Sequence, residues 1–166
     1  MKKHPVTFFC ILLFSMMVLS ASLFAQTVPQ DTTTHKGTTI QDMVHSGDFV
    51  FTAQTALPMN GRARYLTSIY DLVVSKDTVK AFLPYFGRAY SAPIDPTKGG
   101  IQFTSTKFQY SITGHKRGRW NILIRPGDIR DIQQLVLSVS EGGYASLQVI
   151  SNRRQPISFN GKISER

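Results

Sequence analysis

Lys107-Phe108-Gln109-Tyr110-Ser111-Ile112-Thr113 alternates polar and apolar side chains without a break. Successive side chains of a β-strand point to opposite faces, so this stretch reads as a strand that buries Phe108, Tyr110 and Ile112. Gly114-His115-Lys116-Arg117-Gly118 reads as the turn that follows, and Trp120, Ile122 and Ile124 form the inner face of a returning strand. An antiparallel hairpin with one polar face is thus the unit from which the rest is read.

Downstream the period of two continues. Pro126-Gly127-Asp128 interrupts it, Leu135, Leu137 and Val139 resume it, and Glu141-Gly142-Gly143 turns the chain. Ala145, Leu147 and Val149 return, Asn152 to Pro156 turns again, and Ile157 and Phe159 begin the last strand. Upstream, Ile101 to Thr106 is a short strand, and Thr78 to Leu83 pairs with Tyr65 to Ser75 through the tight Lys76-Asp77 connection. Phe49, Phe51 and Ala53 form the apolar face of the first strand, which ends at the turn Pro58-Met59-Asn60-Gly61. Only Ile40, Met43 and Val44 recur at helical spacing. Thr39 is their N-cap with Asp42 three residues on, and Ser46-Gly47 is the stop, so one short helix is expected near Ile40 to His45. The pattern predicts an all-β domain with one short N-terminal helix: an antiparallel β-sandwich or a flattened, lipocalin-like β-barrel of about eight or nine strands. Both architectures share this alternation, and both stay open here. The helix is expected to plug an open end or to cover a sheet edge.

The chain opens with Lys2 and Lys3, an almost wholly apolar run from Val6 to Phe24, and Ala25 before Gln26. Residues 1–25 read as a secretory signal peptide cleaved near Ala25, with a retained membrane anchor as the alternative. Residues 26–38, rich in Thr and containing Pro29, read as a flexible leader. Residues 39–164 read as a single β-domain. The one cysteine, Cys10, lies inside the apolar run, so the mature chain has no disulfide, thiol nucleophile or thiolate site. An exported, periplasmic or envelope-associated location is expected. Membrane association is expected only if the apolar segment is retained. The net charge of +9, to which Lys2 and Lys3 contribute two, suits anionic partners and keeps a domain soluble.

The densest stretch chemically is Leu83-Pro84-Tyr85-Phe86-Gly87-Arg88-Ala89-Tyr90. Pro84 cannot donate to a ladder and ends its strand. Tyr85, Phe86 and Tyr90 offer aromatic faces, and Arg88 offers a planar cation able to grip a carboxylate or phosphate. Arg153 and Arg154 in Asn152-Arg153-Arg154-Gln155-Pro156 form a second candidate anion site. The competing structural reading makes the first stretch a corner whose aromatics pack inward, and the second a solvated turn. His115 to Trp120 concentrates charge beside an aromatic, as a glycan or nucleic-acid contact does, but a charged hairpin tip with Trp120 buried explains it as well. The mature histidines His35, His45 and His115 have no ligand spacing, and no metal or cofactor is expected. Carboxylates such as Asp48, Asp71, Asp77, Asp95, Asp128, Asp131 and Glu141 sit beside turns, where they cap backbone. No nucleophile elbow, zincin helix or phosphate loop is present, so no catalytic residue is assigned.

Several stretches together resemble one known family. They are Phe49-Val50-Phe51, Ala56-Leu57-Pro58-Met59, Leu66-Thr67-Ser68-Ile69-Tyr70, Leu83 to Tyr90, Gly99-Gly100-Ile101-Gln102-Phe103, Gly142-Gly143-Tyr144-Ala145 and Asn152 to Gly161. Across residues 40–163 the chain resembles domain-of-unknown-function family 4251, secreted or envelope proteins of the Bacteroidota. The resemblance implies a Gram-negative envelope location and transfers no activity. The expectation is a non-catalytic binding or interaction module that takes a small ligand, a lipid or an envelope protein, not nucleic acid, near Tyr85, Phe86, Arg88, Tyr90, Arg153 and Arg154. The alternatives are a structural envelope component packed against a partner protein, and a small carboxylate-dependent hydrolase.

Overall fold

The computed structural model describes residues 38–90, 99–115 and 117–166. The proposed signal peptide, most of the leader and the polar loop around Asp95 lie outside the described residues. Among the described residues one helix, α1 (Ile40–Ser46), precedes nine strands: β1 (Phe49–Pro58), β2 (Arg64–Val74), β3 (Val79–Leu83), β4 (Ile101–Ser105), β5 (Phe108–His115), β6 (Arg119–Pro126), β7 (Ile132–Ser140), β8 (Tyr144–Ser151) and β9 (Ile157–Ser164). All nine belong to one sheet in the order β4-β3-β2-β1-β9-β8-β7-β6-β5, and every ladder is antiparallel.

That order decides between sandwich and barrel. The first and last strands pair with each other, so the meander curls round on itself into a nearly closed barrel. Followed around the sheet, the antiparallel ladders leave β4 and β5 pointing the same way, with only Thr106 and Lys107 between them. They are two halves of one pass, the first paired with β3 and the second with β6. An even number of passes lets an antiparallel meander close without a parallel seam. The ladders are also strongly staggered. Ser105 is level with Val79, Val74 and Phe49, the start of β1. Three residues later, Phe108 faces Pro126, beyond the level of Ile124, Leu135, Val149, Ile157 and Pro58, the far end of β1. Strand tilt around a closed barrel produces such an offset.

The kink between the half-strands is clamped by the β6–β7 loop. Asp128 accepts from the Thr106 and Lys107 N–H groups at 3.0 and 3.3 Å and from the buried Ser105 hydroxyl, and Gly127 N–H donates to the Lys107 carbonyl. These bonds hold the Asp128 carboxyl below the usual carboxylate range, the Ser105 hydroxyl contributing most.

The interior is filled by side chains. Phe49, Phe51, Leu72, Ile122, Ile124, Leu135, Leu137, Leu147 and Phe159 are all fully buried there, as a small barrel requires. The sequence periods come through as read: β6 and β9 alternate buried and exposed along their length. Helix α1 closes the end where β7 turns into β8. Met43 and Val44 join the core, and Ile40 packs beside Gly143. The Tyr110 hydroxyl on β5 donates to the Val44 carbonyl at 2.6 Å, and burial pushes that phenol up. Thr39 and Asp42 form the expected capping box, and Gly47 ends the helix in the left-handed region.

Candidate interaction surface

At the end opposite the helix, the Leu83–Tyr90 stretch folds down onto the β8–β9 loop. Tyr90 N–H donates to the Arg153 carbonyl at 2.8 Å, Gln155 N–H donates to the Arg88 carbonyl at 3.1 Å, and Ala89 bridges Arg154. These bonds add a short extra strand to the loop and fix both segments. Pro84 is buried, and Tyr85 and Phe86 pack against the core cluster. The Tyr85 hydroxyl lies within donating distance of the Arg88 and Gln155 carbonyls, 2.8 and 3.1 Å away. Burial raises its pKa and the Gln155 bond opposes the rise, so it stays a neutral donor. Gly87 lies against that ring, since a Cβ there would stand 2.6 Å from the Tyr85 oxygen.

Arg154 ties the corner together. Its side chain is 14% exposed, its Nε lies 3.7 Å from the Asp131 carboxylate, and its Nη1 donates to the carbonyls of Gly99 and Gly100. Its guanidinium also sits 5.2 Å over the Tyr85 ring, while Arg64 covers Phe86 at 4.8 Å. Of the six residues singled out from sequence, Tyr85, Phe86 and Arg154 are therefore engaged inside the protein. Arg88, Tyr90 and Arg153 are exposed beside one another's backbone, and among the described residues their side chains make no hydrogen bond or ion pair.

The same segments lie within a sequence-family match: the profile of the domain of unknown function DUF4251 covers residues 32–163. The chain belongs to the DUF4251 family. A crystal structure of a DUF4251 family protein from Bacteroides eggerthii superposes with a TM-score of 0.54 at 20% identity, covering 74% of this chain and 82% of that one. At that identity the likeness speaks for the fold. No curated protein matches the chain.

Elsewhere in this DUF4251 domain turn carboxylates are engaged by nearby hydroxyls and by Arg154. Asp77 accepts from Ser75, which holds it below the usual range, and Asp131 accepts from Ser151 besides facing Arg154. Asp128 does more than cap its own turn, because its partners lie about twenty residues away. Among the described residues no three His, Cys, Asp or Glu side chains gather as metal ligands do. Trp120 is buried, as the hairpin-tip reading expects, while its neighbour Arg119 is exposed.

Two surface features escaped the sequence reading. Across β1 and β2 the register jumps from Ala53↔Tyr70 to Thr55↔Tyr65, which leaves Leu66 to Ile69 as an excursion of β2 with Ile69 77% and Tyr65 87% exposed. Burial alternates along β2 only in its second half. On the outer face of β6, β7, β8, β9 and β1 lies a concavity of about 300 Å³, lined by Gln54, Arg119, Ser138, Tyr144, Ser146 and Asn160 among others. One signal for it was present: the buried phase of β1 shifts from Ala53 to Ala56, which marks Gln54 as an extra residue.

Proposed function

We propose that this protein is an exported, envelope-associated, non-catalytic interaction module that engages an anionic group through the corner formed by Arg88, Tyr90 and Arg153. One observation carries the reading. These three side chains are mounted on backbone locked by the Tyr90–Arg153 and Arg88–Gln155 hydrogen bonds, yet have no partner of their own among the described residues. With the backbone already fixed, capture of a carboxylate or phosphate by this cation pair costs the ordering of the side chains and not of the loops. The filled interior favours an external contact over a carrier's enclosed cavity.

Native mass spectrometry of the protein purified gently from its own cell envelope tests this. A retained anionic molecule or protein, lost in an Arg88→Ala/Arg153→Ala variant, is the expected result. A bare monomer, or a companion indifferent to those substitutions, overturns it. A second reading, a structural component packed against a partner protein, draws support from the exposed Tyr65 and Ile69 of the β2 excursion. A companion protein lost on Tyr65→Ser/Ile69→Ser favours that reading instead.

A further inference from the structure

The outer-face concavity has the chemistry of a binding site. Ser138 stands opposite Ser146, and Ser146 stands opposite Asn160, so the three side chains share one face in a row across β7, β8 and β9. Gln54 extends the row onto β1, a run of about 14 Å at about 4.8 Å per strand gap. Gln54 is the residue of a bulge that interrupts both ladders of β1, between Ala53 and Thr55. Bulges bend a strand and re-aim a side chain. Opposite Ala53 sits Gly161, where a Cβ would stand 2.0 Å from the Thr52 carbonyl oxygen. That Cβ would point inward, toward the buried Phe51 ring, so Gly161 lets β9 lie close against the bulge, while the bend sets Gln54 beside the small side chains of the outer face. Tyr144, 62% exposed, rises at one side with Lys162 Nζ 4.5 Å over its ring, and Arg119 stands opposite Ser140 at the same end.

What these groups bond to is as informative as where they stand. Among the described residues the side chains of Gln54, Arg119, Ser146 and Asn160 make no hydrogen bond or ion pair within the protein. Among the described residues no carboxylate lines the concavity. Amides and hydroxyls in a row match a ligand carrying many hydroxyls, each able to donate and accept. An exposed tyrosine suits the apolar face of a sugar ring, and Arg119 on β6 and Lys162 on β9, with Tyr144 between them, each suit a carboxylate.

We infer that this groove binds an acidic oligosaccharide, a short chain of uronic-acid type, laid across β1, β9, β8 and β7 with one carboxylate at Arg119 and another at Lys162. This site is separate from the corner of Arg88 and Arg153, and neither depends on the other.

The test is calorimetric titration of the full-length protein with a galacturonic acid tetramer, and with maltotetraose as the uncharged control. The expected result is binding of the acidic chain at least about tenfold tighter than the neutral one. Arg119→Gln and Asn160→Ala should each weaken it about tenfold or more, while Arg88→Ala/Arg153→Ala leaves it unchanged. Both groove substitutions are on exposed side chains, and an unchanged melting curve shows that the fold is intact. Absence of binding at about 1 mM by folded wild-type protein overturns the proposal, as does equal affinity for both sugars. Binding abolished by the Arg88/Arg153 substitutions places the acidic chain at the corner and overturns the groove. Tighter, Arg119-dependent binding of a single-stranded oligonucleotide overturns the ligand class.

Discussion

The corner over Arg154 and the groove beside Tyr144 use the same kinds of side chain: an arginine, a tyrosine and amides. They differ in where those groups direct their bonds. Arg154 meets a carboxylate, two carbonyls and an aromatic ring, and Tyr85 meets two carbonyls. Arg119, Gln54 and Asn160 meet nothing described in the protein. The lesson is that arginine and tyrosine mark a binding surface only when their hydrogen-bonding capacity is left over. Arg153 and Arg154 show it within one dipeptide: the first is exposed, and the second joins three segments of chain.

The contrast can be broken most severely from below the groove. Gly161→Ala should be the most damaging single change, because the new Cβ meets the Thr52 carbonyl oxygen and the Phe51 ring, and backbone cannot step aside. Overpacking typically costs about 1–3 kcal/mol, and this site belongs at or above the top of that range. Urea denaturation checks it, and a loss below about 1 kcal/mol would mean that β1 and β9 separate easily. Next is Arg154→Ala, expected to cost about 2–3 kcal/mol, since it removes charge-assisted hydrogen bonds and leaves Asp131 without its cation. Arg154→Lys should rescue little, because a point charge cannot reach the carbonyls of Gly99 and Gly100 and the Tyr85 face together.

How far these differences were legible in sequence depends on the distance over which each is decided. Period and caps are local. The Lys107–Thr113 alternation, the Thr39–Asp42 box and the Gly47 stop could all be read from neighbouring residues, and they gave fold class and helix. The family resemblance, carried by strings such as Leu83 to Tyr90, also held, with a match that begins at residue 32 instead of 40. Sandwich and barrel could not be separated, because the pairing of β1 with β9 joins residues about a hundred apart. Nor could β4 and β5 be read as one pass: Thr106-Lys107 looks like any short connection until Asp128 is seen to clamp it. At the corner, sequence singled out two segments that the fold brings together, but not which arginine would be enclosed. Arg153 and Arg154 are chemically the same, and only the arrival of Gly99, Gly100 and Asp131 beside one of them makes the difference.

Asp128 sharpens the comparison through pH. Its carboxyl is held low in the folded protein by the Ser105 hydroxyl first and by the N–H groups of the kink. A depressed folded-state pKa contributes stability that is present above the ordinary carboxylate range and is lost as pH falls through the folded value. Stability should therefore decline in acid, and Asp128→Asn should flatten that decline while lowering stability at neutral pH. Denaturant titrations from neutral pH to below the carboxylate range check it, and an unchanged acid slope would show that the clamp works without its charge.

The smallest expected effect is the most discriminating. Arg88→Ala/Arg153→Ala and, separately, Gln54→Ala remove exposed side chains that bond to nothing described in the protein, so each should shift stability by no more than about 0.5 kcal/mol. Thermal and urea melts of both variants beside Arg154→Ala make the measurement. If Arg88, Arg153 and Gln54 are held for a partner, their loss leaves the melt in place and shows only when the partner is present. A loss of about 1 kcal/mol or more in the isolated protein would make these side chains part of the framework, as Arg154 is. The distinction drawn between corner and groove would then fail on the residues where it predicts the least.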